Sequence, residues 1–214
     1  MDTPRLSRIQ HGRPSRFFLV FALGFALAAG GCSAPGGVKQ AMGKSMEAFG
    51  LKKPAAPDPN VEYSVPLRLY AGENLNAGAE KKSLALVVRI YQLKDIQRFE
   101  QAPFEAFLDE KREKEALGGD LIEVNEILMT PGQRHEVQQK MPGAASHLGV
   151  VALFRSPATS RWRFSFDGRK AVKDGITIGL HACAMTATDT AALTTVLSSP
   201  ANSLSSTNCS KPGR

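Results

Sequence analysis

The sequence predicts a mainly β protein: a two-sheet β-sandwich with one short helical insertion, preceded by an export leader and a tether. Three observations predict it. Seven short segments, alternating or continuously apolar, follow one another between residues 65 and 185, with Pro, Gly and polar residues between them. A single stretch among them, after Pro103, has helical spacing. The 43% hydrophobic and 22% charged content is an ordinary globular balance, which excludes wholesale disorder and a polytopic membrane protein.

The chain opens with a basic region ending at Arg16, followed by an apolar run from Phe17 to Ala29. That run is short for a bilayer span and the right size for the core of a secretory leader. Ala29-Gly30-Gly31-Cys32 follows and resembles the bacterial lipobox, with Ala29 where Leu is usual. Cleavage before Cys32 and acylation of its thiol are expected, the alternative being an ordinary leader cleaved nearby. Each buried methylene of an acyl chain contributes about 0.8 kcal/mol, so several chains together anchor stably. Ser33 in place of Asp points to the outer membrane. Removing residues 1–31, with four arginines and one aspartate, lowers the formal charge from +7 to +4. That is too mild to argue for nucleic acid.

Residues 32–60 read as the lipidated cysteine and a flexible tether, opened by Pro35-Gly36-Gly37 and closed by a proline-rich run from Pro54 to Pro59. Between them Val38, Met42, Met46 and Phe49 fall at helical spacing, with Gly50 as a stop. The apolar stripe of such a helix suits either lipid or the domain.

Residues 61–187 read as the folded unit. Val65 to Tyr70 alternates, and Pro66 suggests an edge strand or a strand start. Ser83 to Leu93 is apolar on both faces, as a central strand requires. The helical insertion starts at Pro103, with Phe104, Phe107 and Leu108 on one face and a solvated charge run from Asp109 to Glu115. Ile122 to Met129 and Gln133 to Met141 flank Pro131-Gly132, a pair suited to a type II turn. His147 to Phe154 is apolar again. Arg161 to Phe166 sets three aromatics against two arginines, and Gly175 to Met185 closes the series. The Ser/Thr/Ala-rich tail, 188–214, is expected to be disordered unless something ties it down.

Chemistry is sparse. Cys183 and Cys209 are the thiols left beside Cys32, and in an oxidising compartment they read as a disulfide pinning the tail, or else as two free or intermolecular thiols. Closing a loop of that size contributes roughly 3–4 kcal/mol. His181 and Cys183 share a strand face, yet no second pair of metal-ligand spacing exists. Asp95, Glu123, Glu126 and Asp167 are scattered, and no nucleophile elbow, phosphate loop or zinc-protease motif occurs. Neither an enzyme nor a cofactor is expected. Arg155, Arg161, Arg163, Arg169, Lys170 and Lys173 gather around one turn, as a solvated rim or as a patch for a partner or lipid headgroups.

Several segments taken in order resemble a known family. They are Cys32 after the lipobox, Gly50-Leu51-Lys52-Lys53-Pro54, Asn74-Leu75-Asn76, the run Leu86 to Leu93, Pro131-Gly132, the run Leu148 to Arg155, and Trp162. Together they resemble the TssJ family, the outer-membrane lipoproteins of type VI secretion systems. The resemblance implies a transthyretin-like β-sandwich that holds the periplasmic domain of TssM, and through TssM reaches TssL. It also implies that the contact lies in the loop between the first two strands: Gly72, Glu73, Asn74, Leu75, Asn76, Ala77, Gly78, Ala79, Glu80, Lys81 and Lys82. Eleven residues without apolar periodicity exceed what a tight hairpin needs, and long surface loops often carry recognition. The first two strands are expected to pair directly, so that the loop's length serves binding or is merely a floppy connection. A competing class is a carrier lipoprotein with a small apolar ligand between the sheets, which requires a cavity where Trp162, Phe164 and Phe166 suggest a filled core.

Overall fold

Alternation of Val65, Leu67 and Leu69 with more exposed neighbours builds the first strand, β1 (Tyr63–Ala71), in the computed structural model, which describes residues 58, 60–78, 81–188, 190–205 and 207–209. The leader, Cys32, the Val38–Phe49 stripe and the loop residues Ala79 and Glu80 lie outside the described residues. The remaining strands are β2 (Leu86–Leu93), β3 (Leu121–Met129), β4 (Arg134–Met141), β5 (His147–Ala152), β6 (Arg163–Asp167), β7 (Ile176–Leu180) and β8 (Met185–Ala187). They form two four-stranded sheets, ordered β4-β1-β7-β8 and β3-β2-β5-β6. Pairing is antiparallel except between β1 and β7, so the first sheet is mixed.

Three expectations about strands are corrected. β1 and β2 do not pair; they belong to different sheets, so the segment between them crosses the sandwich. β1 is interior rather than an edge. Pro66 is tolerated because the β7 partners begin one residue later, at Leu67, leaving one side of the Pro66 backbone without a ladder to join. The last expected strand breaks at His181–Ala184, where the His181 N–H donates to the Ala184 carbonyl at 3.0 Å and turns β7 into β8. Gly132 takes φ +75 in the Thr130–Gln133 turn, which carries the chain from one sheet to the other.

Residues alternating inward from both sheets fill the space between them. Val65, Leu67, Leu69, Ile176 and Ile178 face Leu86, Val88, Ile90, Leu148 and Val150, with Phe154, Phe164 and Phe166 fully packed among them. Trp162 is only partly buried and precedes β6.

A second apolar cluster covers the outer face of the second sheet. It joins Tyr91, Val151 and Leu93 to Phe99, Phe107 and Leu117 of the helical insertion. That insertion begins earlier than the sequence suggests, with α1 (Gln97–Gln101); a 3-10 turn (Phe104–Leu108) and α2 (Glu110–Leu117) follow. Asp109 caps α2 by accepting from the Arg112 N–H at 2.9 Å. Leu108 is 58% exposed rather than buried with Phe107. In a 3-10 turn residues three apart eclipse, so Phe104 and Phe107 align and Leu108 swings out. The charge run is not wholly solvated either. Glu113 is buried, accepting from the Tyr91 hydroxyl and from Arg89 at 3.1 Å, while Arg89 also pairs with Glu126 at 2.9 Å. Burial, reinforced by Glu113, pushes the Tyr91 phenol well above its ordinary value.

The tail is tied down along one flank of the sandwich. Leu193 bridges Phe166 antiparallel, the Asp167 N–H donates to Ala192 at 2.7 Å, and the Thr194 N–H donates to Ser165 at 2.8 Å. The Ala187 N–H donates to Ala201 at 3.0 Å. Tail residues therefore cover the free edges of both β6 and β8, which supplies the backbone partners that an edge strand otherwise lacks.

Candidate functional site

The crossing between β1 and β2 is a built structure over its described part. Leu75 is fully buried and belongs to the main core, and Asn76, Ala77 and Gly78 are buried with it. One side of the loop lies along the β7–β8 turn. Gly72, Asn76 and Gly78 donate their N–H groups to the carbonyls of Leu180, His181 and Ala182 at 2.8, 3.0 and 2.9 Å. The other side is held by the segment after β5. The Asn76 side-chain oxygen accepts the Arg155 N–H at 3.0 Å, its amide donates to Ala85 at 2.9 Å, and the Arg155 guanidinium donates to the Ala77 carbonyl. Asn76 and Gly78 take left-handed φ of +50 and +58, which Asn and Gly adopt at small cost.

This divides the eleven candidate residues. Leu75, Asn76, Ala77 and Gly78 are structural and present little surface. Glu73, Asn74, Lys81 and Lys82 are exposed, Gly72 is half-buried, and Ala79 and Glu80 lie outside the described residues. Glu73 reaches the turn before β4: a Cβ on Gly132 would lie 2.6 Å from a Glu73 carboxylate oxygen. The exposed part of the loop and that turn thus share one end of the sandwich. The polar appearance of Asn76 concealed its burial; its use as a backbone-mimicking side chain is the signal that pattern reading lacks.

Cys183 and Cys209 form a disulfide, with Cα atoms 5.5 Å apart. His181 therefore has no free thiol beside it. Its Nε2 lies 3.0 Å from the Thr186 hydroxyl, and burial lowers its imidazole below the ordinary value. Among the described residues no group of His, Cys, Asp and Glu gathers as a metal site would require.

The arginine cluster is not a solvated rim. Arg161 is buried and donates to Ser199 Oγ, Pro200 and Ala201 at 2.6, 2.9 and 3.1 Å, so it is the post around which the tail wraps. Arg163 donates to the carbonyls of Phe99, Glu100 and Ala102, fastening α1 to β6, and its guanidinium lies 4.6 Å from the Trp162 ring centre. Desolvation pulls both guanidiniums below their ordinary values. Arg169 stacks on Tyr63 at 3.9 Å. Lys170 and Lys173 remain exposed. The space a carried ligand would need between the sheets is occupied by Phe154, Phe164 and Phe166.

The described residues form a filled β-sandwich whose β1–β2 crossing is braced at its base, with Glu73, Asn74, Lys81 and Lys82 exposed. The chain belongs to the family described as type VI secretion lipoprotein, VasD, EvfM, TssJ, whose model matches residues 63–183. The type VI secretion lipoprotein TssJ1 from Pseudomonas aeruginosa is 27% identical, over 64% of this chain and 100% of that one, with a TM-score of 0.53. A chain of the structure described as the TssM C-terminal domain from EAEC is 27% identical, over 60% of this chain and 98% of that one, with a TM-score of 0.51. A chain of a type VI membrane complex is 29% identical, over 59% and 98%, with a TM-score of 0.53. No curated protein matches the chain. Family membership makes this a component of the secretion machinery and not an enzyme.

Proposed function

We propose that the chain is the outer-membrane anchor of the trans-envelope complex, acylated at Cys32 and gripping the periplasmic domain of TssM, which in turn joins TssL. Residues 32–60 act as the tether, and the domain is a transthyretin-like sandwich on the periplasmic face. The carrying observation is that the family match runs from β1 through β7 and includes the described crossing loop. The contact is assigned to the exposed part of that loop, Glu73, Asn74, Lys81 and Lys82, with Ala79 and Glu80 between them.

The partner test is calorimetric titration of the TssM periplasmic domain with the wild type and with a variant carrying Glu73→Ala, Asn74→Ala, Lys81→Ala and Lys82→Ala. Removing a few central contacts typically costs a few kcal/mol, and each 1.4 kcal/mol is tenfold in affinity. Unchanged affinity in the folded variant moves the interface elsewhere. The anchor test is Cys32→Ser, which should leave the membrane fraction; a Ser variant that still sediments with membranes sinks the lipoprotein reading.

A further inference from the structure

The crossing loop sits between two jaws, the β7–β8 turn and the segment following β5. Each jaw is bonded to the loop independently, through residues 180–182 on one side and Arg155 on the other. The jaws are joined beside the disulfide, and two residues beyond Cys183 the Met185 N–H donates to the Arg161 carbonyl at 2.7 Å. The Ala158 N–H donates to the Cys183 carbonyl at 2.9 Å, and Cys183 is the half-cystine linked to Cys209. Ala158, Cys183 and Ala184 form a small buried cluster of their own, separate from both larger ones, and Leu204 and Cys209 close over it.

We propose that the Cys183–Cys209 disulfide is a positioning element for the recognition loop, so that the oxidised protein presents the loop to its partner and the reduced protein does not. The consequence for the partner rests on the reading of this loop as the TssM contact. Small residues dominate the cluster, so little apolar area holds the last tail residues over it, and the covalent bond supplies what packing does not. The rest of the tail does not depend on it. Residues 192–201 are fastened by the pairing with β6 and by the Arg161 cradle, so reduction frees residues 202–205 and 207–209 and takes from the β7–β8 turn its one covalent tie. A dithiol such as dithiothreitol gives up two electrons and two protons; the S–S bond breaks, two thiols form, and the reagent closes to its own disulfide.

The full-length protein in detergent, oxidised or treated with dithiothreitol, is titrated with the TssM periplasmic domain. Amide hydrogen exchange is followed in the same samples without partner. Reduction should weaken binding tenfold or more, reoxidation should restore it, and Cys209→Ser should match the reduced form. Exchange should quicken at Gly72, Asn76 and Gly78 while the β2 and β5 amides stay protected. Equal affinity of the two forms, with cleavage of the bond verified by mass spectrometry, overturns the proposal, as does a lowered melting temperature with unchanged exchange at those three amides. Should neither form bind TssM, the partner assignment falls and exchange alone decides: quickened exchange at the three amides upholds the positioning role, and unchanged exchange ends it.

Discussion

Asn76 and Arg155, 79 residues apart in sequence, are joined by a 3.0 Å hydrogen bond from the Arg155 backbone N–H to the Asn76 side-chain oxygen. The same amide group donates to Ala85, so one buried side chain satisfies backbone groups of two different segments. Asn76→Ala should therefore destabilise the protein by about 1–3 kcal/mol, the usual cost of leaving buried polar groups unpaired. Asn76→Gly keeps the left-handed backbone comfortable without restoring the bonds, and should fall between Ala and wild type. Urea denaturation of the three proteins is the measurement; an Ala variant as stable as wild type would remove Asn76 from the brace.

Leu75 sets the loop's base apart from its tip. It is fully buried in the main core, so Leu75→Ala should cost about 2–5 kcal/mol. Lys81→Ala and Lys82→Ala, on exposed positions of the same loop, should change stability by less than about 0.5 kcal/mol. Thermal melts with matched protein concentrations compare them directly.

Ending the chain after Thr188 should be far more damaging than its polar composition suggests. Arg161 would lose all its carbonyl and hydroxyl acceptors, a cost of roughly 1–3 kcal/mol for whatever part of the guanidinium stays out of water, and the Cys183–Cys209 bond and the pairing along β6 would go with the tail. Arg161→Met in the shortened chain should recover part of that loss, whereas in the full chain it should loosen the tail. Limited proteolysis of residues 190–205 reads the second effect, and melts read the first.

Acid should weaken the loop's platform through His181. Burial lowers its folded pKa below the ordinary 6.5, so as pH falls the unfolded chain takes up the proton first. The neutral imidazole's contribution is full above 6.5 and is lost as pH drops from there through the folded value. His181→Gln should flatten that part of the stability profile. A variant with the wild-type slope between neutral pH and about pH 5 assigns the acid sensitivity to another group.

Much of the fold was legible because strands write their faces with period two. Val65, Leu67 and Leu69 mark β1 directly, and the doubly apolar runs mark β2 and β5 as interior strands. What escaped was long-range or conformational. Nothing local in Gly72 to Lys82 says that β1 and β2 lie in different sheets, since sheet membership is decided by β4, β5 and β7. The break at His181–Ala184 is hidden because Ala and Cys suit strand and turn alike. The tail's order was invisible for the same reason: its partners are Arg161, Ser165 and Phe166, residues that read as an exposed rim and an ordinary strand. At the candidate site, sequence located the loop but ranked its residues by polarity, and Asn76 is polar because it is buried among backbone groups.

β1 also has a mechanical meaning. The chain enters it at Tyr63 and leaves it toward the loop at Ala71, so tension applied between those two ends runs along the strand axis. Ladder bonds stand across that axis, and β1 carries them on both sides, to β4 and to β7. Such bonds are loaded in shear and must give way together, whereas a strand peeled from a sheet edge releases them one at a time. At about 3.3 Å per residue, β1 spans roughly 26 Å between its ends. A pull on the loop is thus borne by an interior strand, paired on both sides, rather than by β6 or β8 at the flank.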